Sequence, residues 1–509
     1  MTQPDLDPTF ATLPHRALGD VALQRARELG ATHADFRFER VRYQHVGVRD
    51  ASLQGVSDAE DVGFAVRVVH RGAWGFAAGV LLTADEVRRV AEVAVQVAGV
   101  AAEMTSAPVE LAPEPVHDDV TWVSSYVVNP FDVPIRDKVD VLVDWTRRLT
   151  GHASVDHATS YLMAVQENKY YADLAGTRTT QQRVRLQPGF EASGADDRSG
   201  VFDSMASIAP PVGRGWEYVT DADGAGWDWE DELAEVPDLL AEKLVAPSVE
   251  AGRYDLVIHP SNLWLTIHES IGHATELDRA LGYEANYAGT SFATPDLLGS
   301  LQYGSPALNV TGDRTAEHGL ATVGYDDEGV ATQSWDIVRD GVLVGYQLDR
   351  AMAQMMPELN HGRSNGCAYA DSPGHIPIQR MANVSVQPDP AGPDTEELIS
   401  RVDRGLYVVG DKSWSIDMQR FNFQFTGQRF FQITDGQLDG QVRDVAYQAT
   451  TTDFWGSMEA VGGPQTWELQ GAFNCGKAQP GQVAAVSHGA PSALFRGVRI
   501  LNTTDEAGH

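Results

Sequence analysis

Residues 266–279 read TIHESIGHATELDR, and the spacing of the histidines in this stretch bears on how the middle of the chain folds. His268 is followed by Glu269, and a second histidine, His273, comes five positions after the first. On a regular α-helix, side chains five positions apart diverge by about 140° and cannot hold one ion. A π-bulge brings such residues onto one face, and Gly272 is a weak helix former that eases the distortion. The motif therefore predicts either a metal site on a distorted helix or two unrelated histidines satisfied by hydrogen bonds.

The same stretch supplies part of a hydrolytic metal site. Such a site needs three protein ligands, an open position for water and a carboxylate that takes the proton of that water. His268 and His273 are candidate ligands, and Glu269 is the candidate general base. Cys475, in the glycine-rich segment 471–482, is a candidate third ligand, because a thiolate on a tight loop binds metal well.

Two alternatives to a cysteine ligand remain open at this point. Cys475 is also compatible with a small buried apolar side chain. Glu276 and Asp278 follow His273 closely and are rival third ligands, although carboxylates there also suit a solvated face or a salt bridge. Glu276 lies near the same helix face as His273, so it is also a candidate for supporting that histidine by a hydrogen bond without binding metal.

Composition indicates a globular protein of the reducing cytoplasm. The 509 residues allow two or three domains, and a hydrophobic content of 43% is ordinary for a chain with a real core. Two cysteines are too few for a disulfide framework, and no basic segment followed by an apolar run opens the chain. The sequence contains no apolar stretch of about 18 residues, so no membrane-spanning helix is expected. The net charge of −33 argues against nucleic acid and anionic lipid as partners.

The pattern along the chain predicts an α+β fold. Residues 1–225 alternate helix and strand signals and are expected to form an N-terminal α/β domain with an antiparallel sheet, with a proline-rich connection at 105–116. Residues 226–300 are expected to be a helical segment that carries the histidines, with Ser261 as the helix cap. Residues 301–509 are expected to form a C-terminal domain of mainly antiparallel β-sheets that supplies the candidate cysteine.

Local signals mark the ends of several elements. Thr83 opens a capping box, so a helix is expected to begin directly after it. Asp340-Gly341 and Asp435-Gly436 stand between alternating apolar runs, and each pair predicts a two-residue hairpin turn.

Four motifs in a fixed order resemble one family. They are His268-Glu-x-x-Gly-His273 with its acidic cluster, Asp326-Asp-Glu-Gly329, GHIPIQRMAN at 374–383, and Cys475-Gly-Lys477. This combination resembles the TldD/PmbA family of metallopeptidases, and the chain looks like the catalytic TldD branch. The partner branch, TldE or PmbA, lacks the His-Glu-x-x-x-His pattern. The resemblance covers most of the chain and is densest from about residue 250 to residue 482.

The resemblance implies zinc held by His268, His273 and Cys475, with Glu269 as the general base. It implies an N-terminal α/β domain, a C-terminal domain of antiparallel sheets, and a two-subunit assembly that encloses a chamber. The assembly would be a homodimer or a heterodimer with a TldE/PmbA-like subunit. The substrate would be an extended peptide or a small unfolded protein. His375 matches a family position and is a candidate oxyanion donor, with an ordinary loop histidine as the equal alternative.

The chain departs from the family pattern at SNGCAYADSPGHIP, 364–377, where TldD members often carry a run like Arg-Arg-Glu-Ser. Substrate contacts of that segment can therefore differ, and Cys367 within it is expected to be structural. An exposed edge of the C-terminal sheet could hold substrate as an added strand, which predicts low sequence specificity. Two other functions remain open: a non-catalytic partner or scaffold subunit, and a metal-dependent amidohydrolase or peptide-tailoring enzyme.

Overall fold

The computed structural model describes residues 4–221, 224, 226–479 and 481–506, and it confirms the α+β class. Helices and long strands alternate through the first half of the chain. These elements are α1 (Pro8–Ala11), α2 (His15–Glu28), β1 (His33–Arg49), β2 (Ser52–His70), β3 (Ala73–Gly79), α3 (Ala84–Ala101), β4 (Val120–Val123), α4 (Ile135–Thr150), β5 (His157–Asp173), β6 (Arg178–Ala195), β7 (Phe202–Ala206), α5 (Glu217–Thr220) and α6 (Trp229–Val245).

The N-terminal strands form one sheet in the order β3-β2-β1-β5-β6-β4, with β7 beside β6. Its pairs are antiparallel except for β4, which runs parallel to β6. Phe36 and Phe38 of β1 point into the apolar core under α2 and α3. The alternate residues Arg37 and Glu39 are just as buried and form an ion pair on the opposite face of the sheet.

That polar face joins the N-terminal sheet to the second half of the chain. The Nζ atom of Lys169 lies 2.7 Å from Asp327 Oδ2, and the Nη1 atom of Arg67 lies 2.9 Å from Glu328 Oε1. All four side chains are buried. The acidic motif at 326–329 thus contributes carboxylates to this buried seam.

Strands dominate the second half of the chain. Its elements are β8 (Gly252–Ile258), α7 (Pro260–Ile267), α8 (Leu277–Ala280), β9 (Val310–Asp313), β10 (Ser334–Arg339), β11 (Val342–Leu343), α9 (Arg350–Met355), β12 (Ala368–Tyr369), β13 (Ile378–Gln379), β14 (Asn383–Val386), α10 (Thr395–Ser400), β15 (Arg404–Ile416), β16 (Asn422–Thr434), β17 (Gln437–Gln441), β18 (Val445–Thr450), α11 (Thr451–Gly456), β19 (Met458–Val461), β20 (Glu468–Lys477), β21 (Gln482–Ala490), β22 (Ala493–Asn502) and α12 (Thr503–Glu506).

The main C-terminal sheet has the order β15-β8-β22-β18-β16-β17, and β16 also pairs with β15, so five of its strands close into a ring. A second sheet has the order β11-β10-β9-β14, and β20 and β21 form a separate hairpin. α7 starts directly after β8, at the end of a ring strand. β8 itself pairs with β15 and β22. The division of the chain into units at 1–225, 226–300 and 301–509 stays a prediction.

Most local signals act as expected. Thr83 Oγ1 accepts a hydrogen bond from the Glu86 backbone N–H at 3.3 Å, so the predicted cap of α3 is confirmed. The two predicted hairpin turns are confirmed, since Arg339 pairs with Val342 and Thr434 with Gln437.

The predicted cap of α7 is wrong. His259 occupies the cap position, and its Nδ1 accepts a hydrogen bond from the Ser261 backbone N–H at 3.2 Å. The Ser261 hydroxyl instead accepts a bond from the Gly410 backbone N–H at 2.9 Å, which ties the start of α7 to β15.

Candidate metal centre

The stretch that carries the two histidines departs from α geometry where the spacing requires it. α7 ends at Ile267, a π-helical turn covers His268–Gly272, and a 3₁₀ turn covers His273–Thr275. The rings of His268 and His273 face each other, with centroids 4.6 Å apart and an interplanar angle of 75°. The predicted distortion is therefore confirmed.

Distant side chains satisfy the carbonyl groups around this distorted turn. The Tyr303 hydroxyl donates to the Ser270 carbonyl. The side-chain amide of Gln347 donates to the Gly272 carbonyl at 2.7 Å, and its backbone N–H donates to the Thr275 carbonyl at 2.9 Å. Because buried carbonyl groups cost free energy when unpaired, these bonds stabilise the irregular backbone.

Three potential metal ligands meet at the distorted turn, two from the turn itself and one from β20. His268, His273 and Cys475 are each 5–6% exposed, and one ligand atom from each lies within 4.8 Å of the others. Cys475 Sγ is 3.6 Å from His273 Nε2. Zinc bonds of about 2.0 Å to nitrogen and 2.3 Å to sulfur separate tetrahedral ligand atoms by roughly 3.3–3.7 Å. Two imidazoles and a thiolate are therefore a donor set that suits zinc, and the distance between Cys475 and His273 matches a shared ion.

The register of the β20–β21 hairpin shifts between Ala472 and Cys475, an irregularity that re-aims side chains of the bulged strand. Burial disfavours the thiolate, yet the imidazoles of His273 and His268 hold the pKa of Cys475 well below its usual value. Burial also disfavours the imidazolium, yet Cys475 raises the pKa of His273 to about 9. A deprotonated thiol at neutral pH is the form that binds metal.

A carboxylate and a lysine hold His273 in place. Glu276 Oε2 lies 2.8 Å from His273 Nδ1, which leaves Nε2 of that ring facing Cys475. Lys477 Nζ lies 3.0 Å from Glu276 Oε1 and 2.8 Å from Asp278 Oδ1. Glu276 therefore has the contact of a residue that supports a ligand, and Asp278 faces the lysine.

Replacing Glu276 by glutamine is expected to weaken zinc binding roughly 10- to 100-fold, because the ring loses its charged hydrogen-bond acceptor. Asp278→Asn is the matched control, since it removes a carboxylate from the same lysine without touching His273. Zinc titration against a chromophoric chelator measures both variants. Equal losses in the two variants would show that Glu276 acts only through the charge of Lys477.

His268 is held in a different way. Its Nδ1 lies 2.7 Å from Nε2 of His488, a fully buried histidine in β21. The Nδ1 atom of His488 lies 2.8 Å from the Val384 carbonyl oxygen. His488 belongs to none of the sequence motifs, although a histidine inside the apolar run QVAAVSHGA must find buried partners.

The candidate base, Glu269, is 6% exposed and lies beside Arg420 and Trp414, neither of which belongs to a sequence motif. Its carboxylate forms an ion pair with Arg420, and Trp414 lies close enough to help lower the pKa of Glu269. Burial raises the pKa of Glu269, but His268, His273 and Arg420 together bring it below its usual value.

Arg420 sits in a left-handed backbone conformation with φ of +64°. The Asp417 carboxylate holds this turn by accepting from the backbone N–H groups of Gln419 and Phe421 at 3.1 and 2.9 Å. A non-glycine residue in this conformation is strained, and such strain is concentrated at functional sites.

The remaining candidates lie away from the cluster. His375 Nδ1 is bonded to Asp371 Oδ1 at 2.6 Å, and its carbonyl accepts from Arg37. Among the described residues, none of its hydrogen bonds reaches the histidine–cysteine cluster, and its oxyanion role stays a prediction. Cys367 is fully buried, and burial raises its pKa to about 12, as suits an unreactive structural thiol.

Gly272 provides a test of the packing beneath the distorted turn. A Cβ atom there would lie 2.5 Å from Met381 Sδ and 3.6 Å from His488 Cε1. Gly272→Ala is therefore expected to destabilise the fold by about 1–3 kcal/mol and to weaken zinc binding. Gly99→Ala in α3 is the control, because its new Cβ meets nothing within 4 Å. Thermal melting compares the two variants, and equal midpoints would contradict the expected strain.

Comparison with known proteins identifies the family of this chain. Residues 251–502 match the profile described as PmbA/TldA metallopeptidase C-terminal domain, and residues 34–98 match PmbA/TldA metallopeptidase domain 1. The chain belongs to the PmbA/TldD family.

Relatives extend over nearly the whole chain. A metalloprotease of Methanocaldococcus jannaschii is 24% identical over 92% of this chain and 96% of its own length. A zinc metalloprotease TldD homolog of Saccharolobus solfataricus is 23% identical over 94% of this chain and 98% of its own. These names support a peptidase-family role and suggest a metal.

Solved structures share the fold. A structure described as a putative modulator of a DNA gyrase, from Thermotoga maritima, aligns with a TM-score of 0.73 at 16% identity, over 96% of this chain and 100% of its own. TldE from Thermococcus kodakarensis aligns with a TM-score of 0.69 at 15% identity, over 95% of this chain and 99% of its own. At these identities the likeness concerns the fold alone.

Within the described residues, no helix is both long enough and apolar enough to cross a lipid bilayer.

Proposed function

We propose that this protein is a zinc-dependent peptidase of the TldD type that cleaves unstructured peptides or small unfolded proteins with low sequence specificity. One observation supports the proposal: ligand atoms of His268 and His273, at the distorted turn, and of Cys475, in β20, lie within 4.8 Å of one another. Glu269 directly follows His268 in the same turn. Zinc held by these three residues would supply a Lewis acid that polarises the scissile carbonyl and makes water more acidic.

The carboxylate of Glu269 takes a proton from the attacking water and passes it to the leaving amine. The ion pair with Arg420 favours the ionised form of this carboxylate and restrains its direction between turnovers. Arg420 also places a positive charge beside the reacting centre, where it is better located than His375 to stabilise a developing oxyanion.

The edge of β15 offers a place for the substrate backbone. β8 pairs with this strand only over residues 405–408, and no described strand other than β16 pairs with residues 411–416. Trp414 lies in this section, which is paired on one side only, and its side chain is 53% exposed although it lies near Glu269. An extended peptide added there would be read mainly through its main chain, which gives low sequence specificity.

We further propose that the working enzyme has two subunits, as a homodimer or as a heterodimer with a TldE/PmbA-like chain. The fold shared with TldE of Thermococcus kodakarensis supports this assembly. Light scattering of the protein alone, and of the protein mixed with such a chain from its own genome, measures the assembly. Peptide cleavage by both preparations shows which of them is active.

The experiment that tests the function measures metal content and substrate class together. Purified protein is expected to contain close to one zinc per chain and to cleave unstructured peptides in preference to amide metabolites. Less than about a tenth of an equivalent of any metal would favour a scaffold subunit. Metal-dependent hydrolysis confined to amide metabolites would favour an amidohydrolase.

A further inference from the structure

His488 belongs to none of the sequence motifs, yet it forms a hydrogen bond with one of the proposed ligands, His268. It is fully buried in β21, and its ring centroid lies 4.9 Å from that of His268. The Trp264 ring stacks on it at 6.2 Å with an interplanar angle of 14°. The surroundings therefore fix both the position and the plane of His488.

The hydrogen bonds around His488 run in one direction only. The Val384 carbonyl oxygen, 2.8 Å from His488 Nδ1, can only accept, so Nδ1 must carry the proton. A neutral imidazole has a single N–H group, so His488 Nε2 must accept. Its partner at 2.7 Å, His268 Nδ1, must therefore donate.

This chain of bonds assigns the tautomer of His268. With the proton on Nδ1, the lone pair of His268 lies on Nε2, which is free to bind an ion. Metal-ligating histidines commonly donate their other ring N–H to an acceptor that fixes tautomer and ring orientation. For His273 that acceptor is the Glu276 carboxylate, at 2.8 Å. For His268 the same place is taken by a second imidazole.

We infer that His488 is a positioning residue that relays the Val384 carbonyl to His268 and thereby holds Nε2 of His268 as a metal donor. The inference rests on the proposed function, because it assumes that His268 binds zinc. It makes the two histidine ligands unequal. His273 is supported by a charged carboxylate, whereas His268 is supported by a neutral ring.

A direct ligand role for His488 does not fit the geometry. The group whose ligand atoms lie within 4.8 Å of one another consists of His268, His273 and Cys475. Both ring nitrogens of His488 already have partners, at 2.7 and 2.8 Å. Binding zinc through Nε2 would break its bond to His268.

Two amide substitutions separate the relay from simple packing. His488→Gln keeps an oxygen that can reach His268 and an N–H group that can donate to Val384. His488→Asn has the same chemistry but is one methylene shorter, so its oxygen falls short of His268. His488→Phe keeps the ring shape and has no acceptor. His15→Phe is the control, because it removes another buried histidine, one in α2 that packs against Phe10 and Tyr170.

Zinc affinity is measured by chelator competition, and the absorption spectrum of the cobalt(II)-substituted protein reports the ligand geometry. The Asn and Phe variants are expected to bind zinc roughly 10- to 100-fold more weakly than wild type and to show altered cobalt spectra. The Gln variant is expected to stay within about threefold of wild type, and His15→Phe is expected to be unchanged.

Equal zinc affinity in the Gln and Asn variants would overturn the inference, whether both are strong or both are weak, because only the Gln side chain can replace the relay. If the Phe variant does not fold, the Gln–Asn comparison still decides. A wild-type protein that binds no zinc would instead overturn the proposed function. A wild type that binds zinc, with Gln and Asn variants of equal affinity, would overturn this inference alone.

Discussion

Glu269→Gln is expected to retain zinc and to lose peptide hydrolysis by a factor on the order of a hundred or more. Glutamine has the shape of glutamate but cannot accept the proton of the attacking water. Glu269 is not among the three converging ligand residues, so metal content should be preserved. The measurement pairs zinc analysis of the purified variant with single-turnover cleavage of an unstructured peptide.

Glu232→Gln provides the matched control. Glu232 has the same 6% exposure as Glu269 but lies in α6, where it accepts hydrogen bonds from Trp227 and the Ile208 backbone. The Glu232→Gln variant is expected to be less stable and to hydrolyse peptide at the wild-type rate when folded. Turnover at the wild-type rate by a metal-replete Glu269→Gln protein would remove Glu269 from the role of general base.

Cys475→Ala is expected to produce the largest loss of zinc binding, beyond the roughly 10- to 100-fold expected for residues that only support a ligand. The thiolate is one of three converging donors, and the imidazoles of His273 and His268 hold the pKa of Cys475 well below its usual value, which favours the form that binds metal. A thiolate is also open to oxidation, so peroxide should inactivate the enzyme and bound zinc should protect it.

Cys367→Ala is the control for both effects, because Cys367 is the other buried cysteine and lies outside the cluster. It should bind zinc as wild type does and should remain sensitive to peroxide. If Cys475→Ala holds zinc as tightly as wild type, the cysteine is structural. One of the carboxylates, Glu276 or Asp278, must then move from Lys477 to the metal.

Short-range patterns predict much of the fold. The Thr83 cap and the Asp340-Gly341 and Asp435-Gly436 turns are set by backbone sterics and bonds between residues within four positions. Where a longer contact competes, such a signal fails. Ser261 bonds to Gly410, which leaves the cap of α7 to a histidine that no cap preference favours.

In the candidate site, too, short-range features follow from the sequence and long-range contacts do not. The five-residue spacing of His268 and His273 requires a distorted helix if both bind one ion, and the motif order indicates the family. The spacing says nothing about what supports each ring. Glu276 is found because it is three positions from its partner, whereas His488 lies 220 positions from His268.

The sequence by itself therefore determined the α+β class, the distorted turn, the family and the candidate ligands. Tertiary structure alone decided that Arg420 holds Glu269 across 151 positions and that Lys477 anchors Glu276 across 201. It also decided that His488 supports His268. The physical reason is that strand pairing in the ring and in the β20–β21 hairpin sets which distant side chains meet. Local backbone preferences carry no record of those pairings.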